Sequence, residues 1–187
     1  MELARSLLIL ASFLAVCLAQ QCYDAGDKLI NKRCFKLVNQ KLSFNDARNW
    51  CRYSNPVTPS NLASVLDQTT STWLASYART SFNVNEGYFW IGLSRPTASS
   101  RYQWDDGQPF VYSNFEQQNG GNYVAESITN GRWSTYSADA KLNFVCSYDP
   151  ANPPTFAPQT FAPTEGTTTE YATTTWEPAS TISSDSA

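Results

Sequence analysis

Four carboxylates in the middle of the chain, Asp105, Asp106, Glu116 and Glu126, are the side chains whose type suits paired acid and base chemistry. Adjacent Asp105 and Asp106 point to opposite faces if extended, which suits a turn better than a hydrolytic pair. No histidine occurs in the 187 residues, so Ser-His and Cys-His nucleophile pairs and imidazole metal sites are excluded. There is no G-x-S-x-G, phosphate-binding loop or dinucleotide fingerprint. The chain is read as a non-enzyme. Thirteen Lys and Arg against 16 Asp and Glu give a net charge of −3, which leaves no basic footprint for nucleic acid.

The elements that must position any site lie between two segments of different character. Residues 1–19 hold one Arg (Arg5) and an apolar run from Leu7 to Ala19, with Cys17 and Ala19 placed for cleavage before Gln20. This is the pattern of a secretory signal peptide, too short to span a membrane. Residues 149–187 contain ten Thr, four Ser and six Pro, five acids and no Lys or Arg, with Thr155-Phe156-Ala157-Pro158 repeated at Thr160-Phe161-Ala162-Pro163. Such a segment cannot bury a core and is expected to form a disordered, mucin-like tail carrying O-glycans. No apolar stretch closes the chain to anchor it, so a secreted, extracellular protein without membrane insertion is expected.

Residues 20–148 hold twelve basic and ten acidic side chains and five of the six Trp, which predicts one compact domain with an aromatic core. After signal removal Cys22, Cys34, Cys51 and Cys146 remain, an even number in an exported chain, and two disulfides are expected. Three pairings are possible. Cys22 with Cys34 is favoured because they flank a short segment that reads as a hairpin, leaving Cys51 for Cys146. A zinc site is disfavoured by the lack of paired C-x-x-C spacing.

Ser43-Phe44-Asn45-Asp46 has the form of a helix start, with Phe44, Ala47, Trp50 and Cys51 on one face. Asp67 caps a second predicted helix that fades near Arg79. Leu62–Val65 reads as a short strand, and Tyr88–Leu93, Tyr102–Trp104, Tyr123–Ser127, Arg132–Thr135 and Asn143–Tyr148 follow as strands. Two helices and several strands predict an α+β domain with an antiparallel sheet.

The order of these elements and five local strings resemble the C-type lectin-like domain. Phe89-Trp90-Ile91-Gly92-Leu93 is similar to that family's Trp-Ile-Gly-Leu strand, behind an Ala-x-x-x-Cys helix at Ala47 and Cys51. Leu62-Ala63-Ser64, Trp104-x-Asp106-Gly107 and Phe144-Val145-Cys146 are similar to its Leu-Ala-Ser strand, Trp-x-Asp-Gly turn and closing strand. Cys22 and Cys34 resemble the additional N-terminal pair of the long-form domain. The resemblance covers Gln20 to about Tyr148 and implies a C-type lectin-like fold: two helices on antiparallel sheets with a loop region, stapled by disulfides.

In calcium-dependent members the resemblance implies a loop carrying Glu-Pro-Asn or Gln-Pro-Asp and a Trp-Asn-Asp strand that hold Ca²⁺ and share it with sugar hydroxyls. Here the matching strings are Gln117-Gln118-Asn119 and Trp133-Ser134-Thr135, with no carboxylate at the matched positions. Affinity for this hard cation rises with the number of carboxylates, so no metal and no other cofactor is expected. Glu116 and Glu126, with Asp139 more distant, are the acids a rearranged site would recruit. The family's inner disulfide is missing at both ends, Tyr123 standing at its first position, which predicts a looser loop region.

The ligand-binding candidates are therefore Gln117, Asn119, Asn122, Ser134 and Thr135, whose amides and hydroxyls offer hydrogen bonds to a glycan or glycoprotein without metal. Tyr123 and Tyr136 are candidate stacking faces. The expected function is a secreted, calcium-independent carbohydrate-binding module, with host defence and innate immunity as the role the resemblance implies. The alternatives are a structural, mucin-like protein whose tail is the working part, or a calcium-dependent sugar binder with a rearranged site. No heptad neck and no unpaired mature cysteine specify an oligomeric state.

Overall fold

The structure is a computed structural model and describes residues 21–158. The expected signal peptide and residues 159–187 of the expected tail lie outside the described residues. Chain order is β1 (Lys28–Ile30), β2 (Arg33–Leu42), α1 (Phe44–Asn49) running into one wide helical turn over Trp50–Ser54, β3 (Asn61–Leu62), α2 (Gln68–Phe82), β4 (Tyr88–Ser94), β5 (Gln103–Trp104), β6 (Phe115–Gln117), β7 (Tyr123–Ser127), β8 (Trp133–Tyr136) and β9 (Leu142–Tyr148).

The helices begin where capping chemistry dictates. Ser43 Oγ accepts from the Asp46 N–H, and Asp67 accepts from the Thr70 N–H at 2.8 Å, each satisfying an amide left free by the first turn. α2 runs three residues past the expected end at Arg79. Phe82 is buried in the core, and Asn83 takes the left-handed conformation (φ 54°) while its N–H returns to the carbonyls of the last turn. Burial of one more aromatic and a left-handed cap outweigh the weak local propensity of Thr80-Ser81.

Period-2 alternation along β4 builds two cores, one on each side of the sheet. Phe89, Ile91 and Leu93 join Leu74, Ala78 and Phe82 on the α2 side. Trp90 faces the other way, against Phe44, Ala47 and Phe144, and donates its indole N–H to the Leu42 carbonyl at 3.0 Å. Between them Gly92 lies against the Leu62 carbonyl, where any Cβ would overlap the main chain, the reason a strand of large residues carries a glycine there.

The strand order is β1-β2-β9-β4-β7-β8-β6, with β3 on β9 and β5 on β4. The sheet is mixed rather than antiparallel throughout, because β9 runs parallel to β4 and β6 parallel to β8. β9 follows an excursion of nearly fifty residues after β4, long enough for a crossover. It enters the centre of the sheet and pairs with β2, joining the two ends of the domain.

Both expected disulfides are present, Cys22–Cys34 and Cys51–Cys146. The turn of the N-terminal hairpin is Asn31-Lys32, both at positive φ, a two-residue turn matched to strand twist. The described chain continues beyond Tyr148 in contact with the domain. Tyr23 donates its hydroxyl to the Pro150 carbonyl at 2.9 Å, and the Phe156 ring lies 5.0 Å from the Arg52 guanidinium.

Candidate functional site

The loop region stands on a hairpin and one added strand. β7 and β8 pair Tyr123 with Tyr136, Val124 with Thr135, Ala125 with Ser134 and Glu126 with Trp133. β6, which sequence patterning did not reveal, lies parallel along the far edge of β8, pairing Phe115 with Trp133 and Gln117 with Ser134. This added strand decides which candidates reach the surface.

Ser134 and Thr135 are each only 1% exposed, which corrects the expectation that they present hydroxyls to a ligand. β8 is flanked by β7 and β6, and both of its faces are covered by core side chains, so its hydroxyls point inward. The other three candidates do come together. Gln117 and Asn119 are exposed and their amides meet at 3.5 Å. Asn119, Asn122 and Tyr123, with Ser137 and Ala138 opposite, line an open groove of about 450 Å³.

Arg95, just past β4, holds this groove in place. Its N–H donates to the Asn122 carbonyl at 2.9 Å, its Nε to Asn122 Oδ1 at 3.2 Å and its Nη2 to the Gly121 carbonyl at 3.4 Å. The Asn122 side-chain carbonyl is thereby engaged while its NH₂ stays free to donate. Gly121 sits on the Tyr136 main chain, where a Cβ would overlap backbone atoms. Gly121→Ala is therefore expected to push the 118–122 loop outward at a cost of about 1–3 kcal/mol, seen as a lower melting temperature together with lost ligand binding.

The acids do not assemble a metal site. Glu126 is fully buried, and its Oε2 accepts from the Trp133 indole N–H at 3.0 Å. Its other oxygen has no partner among the described residues. Burial pushes its pKa well above the carboxylate range, opposed in part by Trp133 and Ser71. Glu116 is exposed on β6, its carboxylate 3.5 Å from the Asn130 amide, and Asp139 lies in the turn after β8. Among the described residues no group of three His, Cys, Asp or Glu is arranged to hold a metal ion. Neutral amides in the groove and a carboxylic acid buried against Trp133 do not fit calcium, which requires several oxygen ligands and binds more tightly as carboxylates are added.

Asp105 and Asp106 are equally committed. Asp105 pairs with Arg52 at 2.5 Å and accepts from the Leu62 N–H, while Asp106 pairs with Arg33 at 2.7 Å. Burial raises the pKa of Asp105, with Arg52 opposing. The two carboxylates tie separate parts of the domain to the β5 turn and form no acid–base pair.

Tyr123 and Tyr136, the candidate stacking faces, are half-buried, with their rings packed against aromatic neighbours in the domain. The Tyr123 ring lies 4.6 Å from Phe44, and Tyr136 lies 5.3 Å from Tyr88 and 6.0 Å from Trp90. Burial and the neighbouring Tyr88 push the Tyr136 phenol up to about 12. Packed aromatics thus occupy the end of β7 and β8 where no inner disulfide exists.

Sequence reasoning missed a second feature beside the groove. Tyr102, Phe110 and Phe115 cluster with ring separations of 5.0 and 6.0 Å, and the Arg95 guanidinium lies 4.8 Å from the Tyr102 ring centre. Arg101, Tyr102, Gln103 and Phe110 line an opening of about 410 Å³. The available signal was aromatic and arginine residues inside a loop rich in turn formers, where no packing role is obvious.

This architecture, two helices on a mixed sheet with a disulfide clamping the first helix onto the central strand and a long loop region, defines a C-type lectin fold. The family described as Lectin C-type domain matches residues 40–148, and the chain belongs to that family. It is similar to the C-type lectin lectoxin-Lio1 of Erythrolamprus poecilogyrus, 28% identical over 125 residues that cover 63% of this chain and 74% of that one. Human lithostathine shares the fold with a TM-score of 0.59 at 24% identity, over 67% of this chain and 98% of the other. A type II antifreeze protein described as calcium-independent does so with a TM-score of 0.58 at 21% identity, over 69% and 95%.

Proposed function

We propose that the chain is an extracellular carbohydrate-binding module that recognises a glycan or glycoprotein surface without calcium. The groove lined by Asn119 and Asn122, with Gln117 exposed beside Asn119, is its primary contact. The observation that supports this is the chemistry of the groove: exposed amides, a carbonyl-anchored loop and no carboxylate directed into it. Amides donate and accept at once, matching sugar hydroxyls, which do the same. The precedent of a calcium-independent protein on this fold is consistent with it.

The test is calcium titration of the secreted full chain, followed by melting temperature and heat of binding, alongside glycan binding with and without chelator. Ligand linkage requires any ion bound by the folded state to raise its melting temperature. No response to millimolar calcium and chelator-insensitive glycan binding are expected. Asn119→Ala should weaken binding about three- to tenfold, the loss of one neutral hydrogen bond. A saturable micromolar calcium response would restore metal-dependent binding and overturn the proposal.

A further inference from the structure

We propose that the aromatic opening on the other side of Arg95, bounded by Arg101, Tyr102 and Phe110, is a subsite for an acidic sugar, a pyranose bearing a sulfate or carboxylate. This rests on the glycan-binding reading above and names the charge of the ligand. Arg95 and Arg101 are cations with no ion-pair partner among the described residues. The acids nearest Arg101 in sequence, Asp105 and Asp106, are consumed by Arg52 and Arg33, so among the described residues neither arginine's charge is paired.

Arg95 is also pre-positioned. Its Nε and Nη2 are held by Asn122 and Gly121 and its plane lies over Tyr102, while Nη1 donates to no described residue. Little rotamer entropy is left to lose when an anion binds, and an arginine with a free edge suits oxyanions. Arg101 is exposed in the lining of the opening. Phe110, in the same lining, is 37% exposed, an apolar surface of the kind that takes the C–H face of a sugar ring. Arg95 contacts both linings, Tyr102 of this opening and Asn122 and Gly121 of the amide groove, so a glycan of several residues would bridge them.

The full chain is tested on immobilised heparin (sulfates), hyaluronan (carboxylates), mannan (neutral sugar) and polyglutamate (anionic, without sugar rings). Heparin or hyaluronan is expected to bind more tightly than both mannan and polyglutamate, and the arm that binds distinguishes sulfate from carboxylate as the source of charge. Binding should weaken as salt rises and screens the pair. Arg101→Glu, at an exposed position that bears no internal contact, should weaken acidic-glycan binding roughly tenfold, and Phe110→Ser roughly fivefold, with unchanged melting temperature for the former. Equal binding of mannan and the acidic chains, or insensitivity to Arg101→Glu, overturns this subsite and leaves the module's glycan binding intact. Equal binding of polyglutamate reduces it to ion exchange and overturns it as well. Binding to no glycan overturns both readings.

Discussion

Removing the Cys51–Cys146 bridge by a double alanine substitution is expected to cost about 4–5 kcal/mol, the value of closing a loop near 100 residues in the unfolded chain. The two cysteines are separated by 95 positions and both are fully buried. Cys146 lies on β9, the strand that holds β2, β3 and β4 together, and Cys51 lies in the turn that continues α1. The bridge therefore clamps the first helix onto the central strand. The loss is a large part of the roughly 5–15 kcal/mol that stabilises an ordinary domain, so secretion at physiological temperature should fall sharply and denaturant midpoints should drop. The Cys22–Cys34 bridge closes only 12 positions. Its removal should cost about 3 kcal/mol in the same treatment. Equal midpoints for the two double variants would show that loop length does not set their relative worth.

The second large effect belongs to Glu126. A carboxyl that is fully buried beside Trp133 prefers its neutral form, and its pKa stands well above the ordinary 4.5. The folded state therefore holds this proton at pH values where the unfolded chain has released it. Between pH 4.5 and the raised folded value the native state binds more protons, so stability falls as pH rises through that window. Asp24, Asp46 and Asp67 work oppositely: hydrogen bonds hold each below 3.8, against burial at Asp67, and their contributions fade only as pH falls through their lowered values. Stability is thus expected to be greatest near the acidic edge of that window and to decline as pH rises from there. Glu126→Gln keeps an acceptor for the Trp133 indole while abolishing the titration, and should flatten that decline. Trp133→Ala should cost about 3–5 kcal/mol, because that ring makes edge contacts with Trp104, Tyr112 and Phe115 under the loop region. Melting curves from about pH 5 to about pH 8 check both, and a wild-type midpoint that rises across this range would contradict the burial argument.

Helix starts, the main strands and the disulfide framework were legible in the linear chain. Caps act within four residues, and period-2 alternation acts along a single strand, so Ser43, Asp67 and Phe89–Leu93 carry their structural meaning locally. The five strings of the family, with cysteines in the right order, carried the fold from there. Which polar residues face water was not legible. Ser134 and Thr135 read as loop-side hydroxyls until β8 takes its place between β7 and β6, a strand of three residues without a clear period, with core side chains over both faces. Glu126 reads as an acid that a rearranged site would recruit until the β7–β8 register sets it against Trp133. Arg95 and Tyr102 are neighbours only because β4 and the loop before β5 fold back on each other. Exposure, pKa and stacking depend on groups brought close by pairings across the sheet, and those distances exist only once the chain has folded.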